Sequence, residues 1–174
     1  MFDKDYNFKG SYADKVKFLC NSIEPRKNTY GTFSIFGRYV DVLICAAIVG
    51  FTHNQHGLPD NDDKDSIATI PMKTMIGEQR NLSFIFKSIV LCNGISDVDS
   101  LSRDELKTRM DDAFRFGEGT DRFDNNWKIF ESFVFGGINY LYERFKDVKN
   151  REDALNVMNG IIPKTELLDI TDSD

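Results

Sequence analysis

The chain of 174 residues is long enough for one domain, which at this length buries roughly 70% of the surface of the unfolded chain, so neither a disulfide nor a metal is needed to hold it. A hydrophobic content of 41%, a charged content of 29% and a formal net charge of −6 are typical of a globular protein and argue against one that coats nucleic acid non-specifically, which requires clustered Lys and Arg. The sequence shows no signal peptide, and its longest apolar run has about half the roughly 20 residues that cross a bilayer, so we expect a cytoplasmic protein without membrane contact.

The negative charge is concentrated in two stretches, 60–65 and the C-terminal tail from Glu166. The rest of the chain is close to neutral, which leaves room for a local basic patch. We expect one helical domain over residues 1–165 and an acidic, flexible tail over 166–174. The three cysteines, Cys20, Cys45 and Cys92, are odd in number, widely spaced and set in apolar patterns, which predicts reduced, buried thiols.

The first helix is predicted over 12–23, with Ser11 as its N-cap. The segment 36–51 follows a polar loop and contains, after Asp41, ten residues without a charged side chain. Its length and its Ala pair favour a buried central helix near residues 38–51 over a strand. Ala46 and Gly50, four residues apart, would let another element approach one face closely.

Residues 52–66 are polar and rich in Asp, which predicts a surface loop. In the segment 67–76, Pro71 allows only short helical or extended pieces. The next helix is predicted over 78–93, where apolar residues recur at helical spacing before Gly94.

Three further helices complete the pattern. One begins with a capping box between Ser102 and Glu105 and runs to residue 116. A long helix is predicted over 124–148, and its Gly136-Gly137 pair indicates a close backbone contact or a bend. The last helix follows Asn150. The predicted fold class is therefore all-α, a single compact bundle of about six helices.

Both histidines lie in the polar loop after the central helix, where His53, His56 and Asp60 could ligate a divalent cation. Their spacing matches no specific metal motif, and a solvated loop is the alternative. The sequence Gly-Glu-Gly-Thr at 117–120 lacks the lysine and the glycine spacing of a phosphate-binding loop, so we interpret it as a connector between helices. No Ser-His-acid pattern is evident, and we expect no cofactor.

Several basic residues have aromatic neighbours in the sequence. Four of them are candidates for contacts to nucleic acid, namely Arg38, Arg80, Arg122 and Lys128. Each has an acid within a few residues, so a mixed solvated surface is the alternative. Arg38 and Asp41, at the start of the central helix, could reach a partner or could pair with each other at i,i+3.

Two segments resemble a known family. The first is FGRYVDVLICAAIVGF at 36–51, and the second is IFESFVFGGI at 129–138. In order and spacing they are similar to the small DNA phosphorothioation-associated proteins, encoded beside bacterial systems that replace a phosphate oxygen of DNA with sulfur or restrict unmarked DNA. The resemblance extends over roughly residues 12 to 148 and brings no catalytic residues with it.

The resemblance implies an accessory role in antiphage defence, with DNA or DNA-processing proteins as partners. We therefore expect a non-enzymatic accessory protein of a DNA phosphorothioate modification or restriction system that acts through protein contacts. Two alternatives stay open: direct DNA binding through a basic face, and a metal-dependent enzyme that uses the His53 and His56 loop. Self-association is also open.

Overall fold

The computed structural model describes residues 1–21, 34–60, 66–96, 100–115 and 117–161. These residues form seven helices and a two-stranded sheet, so the protein is mostly helical but not strictly all-α. In chain order the elements are β1 (Tyr6–Lys9), α1 (Gly10–Cys20), α2 (Tyr39–Thr52), β2 (Ile67–Ile70), α3 (Met72–Gly77), α4 (Gln79–Cys92), α5 (Arg103–Phe114), α6 (Asp121–Phe145) and α7 (Arg151–Ile161). Residues 61–65 of the Asp-rich loop and the acidic tail at 166–174 lie outside the described residues.

The sheet corrects the prediction of a purely helical bundle. Strand β1 pairs with β2 in antiparallel register, with Tyr6 opposite Ile70 and Lys9 opposite Ile67. Alternate residues of each strand are buried, as expected for a half-buried strand. Four residues are too few to show this alternation reliably in a sequence, and the two strands are far apart along the chain.

Most predicted helices are present with shifted ends. The central helix is α2 and the longest one is α6, which starts three residues before the predicted 124 because the side chain of Thr120 accepts a hydrogen bond from the backbone N–H of Phe123. The capping box between Ser102 and Glu105 is confirmed. Ser11 is not the N-cap of α1, which begins at Gly10. Segment 67–76 divides at Pro71 into β2 and α3.

The core is organised around the contact between α2 and α6. A methyl group at Gly137 would overlap the carbonyl oxygen of Ala46, and one at Gly50 would overlap that of Phe133. Only glycine therefore permits the two backbones to lie this close. The predicted close approach on the Ala46 and Gly50 face is confirmed, and its partner is the glycine pair of α6.

The cysteines are free, but not equally buried. Cys20 and Cys45 are partly buried, and burial raises the pKa of each thiol to about 11. The prediction of a buried thiol is wrong for Cys92, which is exposed at the C-terminal end of α4. In the part of the chain that the structure describes, no helix has the length and apolar character that a membrane span requires.

Candidate functional site

Arg38 and Asp41 form the pair that the i,i+3 spacing allows. Arg38 Nη2 donates to Asp41 Oδ1 at 2.6 Å, and Nε donates to Oδ2 at 3.1 Å. The same guanidinium lies 3.0 Å from Oε1 of Glu78, the residue before α4. These carboxylates raise the pKa of Arg38. The arginine thus links the start of α2 to the start of α4, and its contact with a partner stays a prediction.

The other three basic candidates differ in their surroundings. Arg122 Nη1 lies 2.9 Å from Oδ1 of Asp112, which ties the start of α6 to α5. Arg80 on α4 and Lys128 on α6 are exposed. Since two of the four cations are engaged by carboxylates, the charge that this set can offer to DNA phosphates is reduced.

The two imidazoles of the polar loop face different parts of the protein. His53 stacks on Tyr140 with ring centroids 4.7 Å apart, and its Nε2 lies 3.0 Å from the carbonyl oxygen of Ile161, to which it can only donate. His56 Nδ1 lies 3.0 Å from Oγ of Ser132. Each ring therefore anchors the loop to a helix.

Asp60 is bonded to the N-terminal end of α1. Its Oδ2 accepts the backbone N–H of Ser11 at 2.9 Å, so a carboxylate satisfies a free donor at the N-terminus of α1. In the described residues, no three His, Cys, Asp or Glu side chains are grouped so that they could hold a metal ion. The metal hypothesis gains no support from these contacts and stays a prediction.

Helix α5 is weakly covered by the rest of the protein. Within its described range, Arg103–Phe114, Ala113 is the one buried residue. Its large apolar residues Leu106, Met110 and Phe114 recur every fourth position, which places them along one face, and all three are exposed. A helix that keeps its apolar stripe in water has that stripe available for another surface.

Helix α4 extends this apolar face. Arg109 of α5 donates to the carbonyl oxygen of Asn93 at 2.6 Å, and Lys87 of α4 lies 5.1 Å from the ring centre of Phe114, so the two helices run antiparallel side by side. One turn before Lys87, Phe84 is 72% exposed, and Phe114 is 56% exposed. We call Phe84, Leu106, Met110 and Phe114 the α4–α5 surface.

Glu131 is a polar residue within the apolar middle of α6, between Phe130 and Ser132. Its Oε1 accepts a hydrogen bond from the hydroxyl of Tyr6 at 3.3 Å, and the side chain of Trp127 also bonds to the carboxylate. Burial raises the pKa of Glu131, and these hydrogen bonds oppose the rise. Sequence reasoning did not select this residue as a site, although a lone acid in an apolar helix was a usable signal.

The comparison with known proteins decides the family. The model of the family described as DNA sulphur modification system-associated protein 4 matches residues 13–162, which is most of the chain. The chain belongs to this family. No curated protein and no solved structure matches it.

Membership of the DNA sulphur modification system-associated protein 4 family confirms the resemblance drawn from the two segments. In this family member, segments 36–51 and 129–138 form the contact between α2 and α6. The residues that carried the resemblance are thus packing residues, and they account for the fold. The α4–α5 surface lies outside both segments.

Proposed function

We propose that this protein is a non-enzymatic accessory protein of its DNA sulfur modification system and acts by binding another protein of that system through the α4–α5 surface. The family supplies the association with the modification system. The observation that carries the proposal is the exposure of Phe84, Leu106, Met110 and Phe114 on two adjacent helices. Aromatic residues and Met are enriched at protein interfaces, where a few such side chains supply most of the binding energy.

The free energy available from burying these side chains is large enough to support a specific contact. Fully burying one large apolar side chain contributes about 1.5–3 kcal/mol. Since Phe84 is 72% and Phe114 56% exposed, the two together offer about 2–4 kcal/mol before the cost of association. Leu106 and Met110 extend the area along α5. An interface centred on these four residues therefore has an apolar core that can be surrounded by polar contacts.

The charges beside the surface indicate the character of the partner. Arg80 lies one helical turn before Phe84 on α4, and Lys87 lies beside Phe114. Both are positive and close to the two exposed aromatic rings. We infer that the partner presents an apolar patch with carboxylates at its edge, because opposite charges at the rim orient two proteins as they meet.

The test is binding between purified components. The protein would be mixed with each purified protein of the same modification system, and association would be measured by size-exclusion chromatography and by titration calorimetry. Phe84→Ser and Phe114→Ser should each weaken the complex at least tenfold. Leu155→Ser is the matched control, since Leu155 is 52% exposed and lies on α7, which packs against α6.

Two outcomes would sink the proposal. The first is no association with any protein of the system at physiological salt. The second is a complex that Phe84→Ser and Phe114→Ser leave as tight as Leu155→Ser does. Circular dichroism of the variants separates a lost contact from a lost fold.

Direct DNA binding is supported less well. Of the four basic candidates, Arg80 and Lys128 are exposed, whereas Arg38 and Arg122 lie against carboxylates. The pairing lowers the number of phosphates that this set can neutralise. DNA contact therefore remains a prediction that gel shifts at two salt concentrations would check.

A further inference from the structure

A second surface feature is a cavity beside the first turns of α6. It has a volume of about 340 Å³ and lies between the N-terminal segment, α3 and the start of α6. Its walls are aromatic and its rim is acidic. Neither wall nor rim includes a residue of the α4–α5 surface.

The aromatic wall is formed by Phe2, Phe123 and Trp127. The rings of Phe123 and Trp127 are nearly parallel, at 21° with centroids 6.0 Å apart, and Phe2 lies 5.4 Å from Trp127. Both phenylalanines are buried, whereas Trp127 is half-buried and lines the cavity. Within this wall, the half-buried indole of Trp127 is therefore the part that a ligand can reach.

The rim carries more acid than base. Asp3, Glu118 and Asp124 line the cavity together with Lys4. Glu118 already contacts cations, with its Oε1 2.5 Å from the α-amino group of Met1 and its Oε2 3.8 Å from Lys4 Nζ. Asp124, in the first turn of α6, is exposed at the rim.

A fourth acid, Asp5, has a structural task. Its Oδ1 accepts the backbone N–H of Met72 at 2.6 Å, at the first residue of α3. It holds α3 against the N-terminal segment and so helps to shape the cavity. Asp3 Oδ1 lies 3.4 Å from the α-amino group of Met1, so Asp124 is the carboxylate best placed to receive a ligand.

We propose that this cavity binds the guanidinium group of an arginine side chain presented by a protein. An aromatic wall attracts a cation through the negative face of its rings, and carboxylates at the rim accept its hydrogen bonds. A guanidinium suits the site better than an ammonium, since it is planar, weakly hydrated and able to stack while its edge bonds to a carboxylate. The volume is at the small end of ligand pockets, which fits one side chain. The inference does not rest on the α4–α5 surface.

Ligand binding can be measured through the fluorescence of Trp127, because the sequence contains one tryptophan. Its fluorescence would be followed while N-acetyl-L-arginine amide is added at constant ionic strength. We expect a saturable change in emission. N-acetyl-L-citrulline amide has nearly the same shape without the charge and should produce no saturable change, and N-acetyl-L-lysine amide should bind more weakly than the arginine compound.

The variants test the rim. Asp124→Asn should weaken binding of the arginine compound about tenfold, since a hydrogen bond to a charged group contributes affinity of that order. Asp121→Asn is the matched control, because it removes the same charge from the same helical turn outside the cavity lining. If Asp124→Asn fails to fold, Asp3→Asn serves as the second variant.

The source of the guanidinium is tested separately. Free L-arginine should bind more weakly than the capped compound, because its own carboxylate would face the acidic rim. Free arginine or spermidine binding as tightly as the capped arginine would overturn the assignment to a protein side chain. So would an equal response to citrulline, no response to any compound, or an Asp121→Asn variant as defective as Asp124→Asn.

Discussion

Helix α4 carries two phenylalanines, two residues apart, that have opposite surroundings. Phe86 is 2% exposed and packs against Phe130, with ring centroids 5.6 Å apart, and against Trp127. Phe84 is 72% exposed on the opposite face of the helix. The difference comes from helical phase alone, since two residues correspond to about 200° of rotation. The same side chain thus stabilises the fold at one position and is available for binding at the other.

The largest effect expected from this comparison is on stability. Phe86→Ala should lower the free energy of unfolding by about 3–5 kcal/mol, because it leaves a cavity in the aromatic core. Phe84→Ala should change it by less than about 0.5 kcal/mol, as expected for an exposed site. Urea denaturation of both variants measures the contrast. Equal losses would mean that Phe84 is covered in the folded protein, which would also remove the basis for the α4–α5 surface.

Glycines provide a second contrast between core and surface. Gly137→Ala should destabilise the protein by about 1–3 kcal/mol or more, because the added methyl group meets the backbone of Ala46 and the helices have to separate. Gly160→Ala is the control, as nothing lies within 4 Å of a methyl group there, and Ala is favoured over Gly in a helix by up to about 1 kcal/mol. The two substitutions should therefore change the urea midpoint in opposite directions.

The region that could be predicted from sequence is the one whose residues are constrained by packing. Ala46, Gly50 and the glycine pair of α6 have a spacing that permits close helices and little else. The capping box at Ser102 is similarly specific, because its two hydrogen bonds are local. The surface was harder to predict, since exposure of Phe84 depends on which face of α4 the rest of the chain covers.

The sheet and the polar contacts of α6 could not be predicted for a related reason. Strands β1 and β2 have four residues each, and each forms by pairing with the other, so neither sequence segment alone predicts a strand. The bond between Tyr6 and Glu131 joins residues far apart in the sequence. Asp60, a predicted metal ligand, accepts the backbone N–H of Ser11 in α1, a helix that begins about 50 residues earlier, and nothing in the sequence indicates this contact.

Glu131 is a half-buried acid in the apolar middle of α6, between the buried residues Phe130 and Phe133. Burial raises its pKa, so the folded protein holds this proton more tightly than the unfolded chain does. Its contribution to stability is then fully present below the unfolded pKa and is lost as pH rises through the folded pKa. Glu131→Gln keeps an acceptor for Tyr6 and Trp127 without the ionisation. Relative to wild type, the variant should become more stable as pH rises from about 4.5 to 7.

The measurement is the unfolding free energy of Glu131→Gln minus that of wild type across that pH range. Glu143→Gln is the control on the same helix, since Glu143 is exposed and lies 2.6 Å from Lys146 Nζ. A difference that stays constant with pH, or that falls as pH rises, would show that burial does not govern the carboxyl of Glu131.

The smallest effect concerns the four basic candidates for DNA contact. If Arg80 and Lys128 are the cations that reach DNA, two phosphates are neutralised, and the logarithm of the binding constant should fall with the logarithm of salt concentration with a slope of about −2. Arg80→Ala should then bring the slope to about −1. Arg38→Ala should leave it unchanged, since Arg38 lies against Asp41 and Glu78. A slope near −4 would mean that the ion pairs of Arg38 and Arg122 open on DNA, and the protein would then be a DNA-binding protein through the whole predicted basic face.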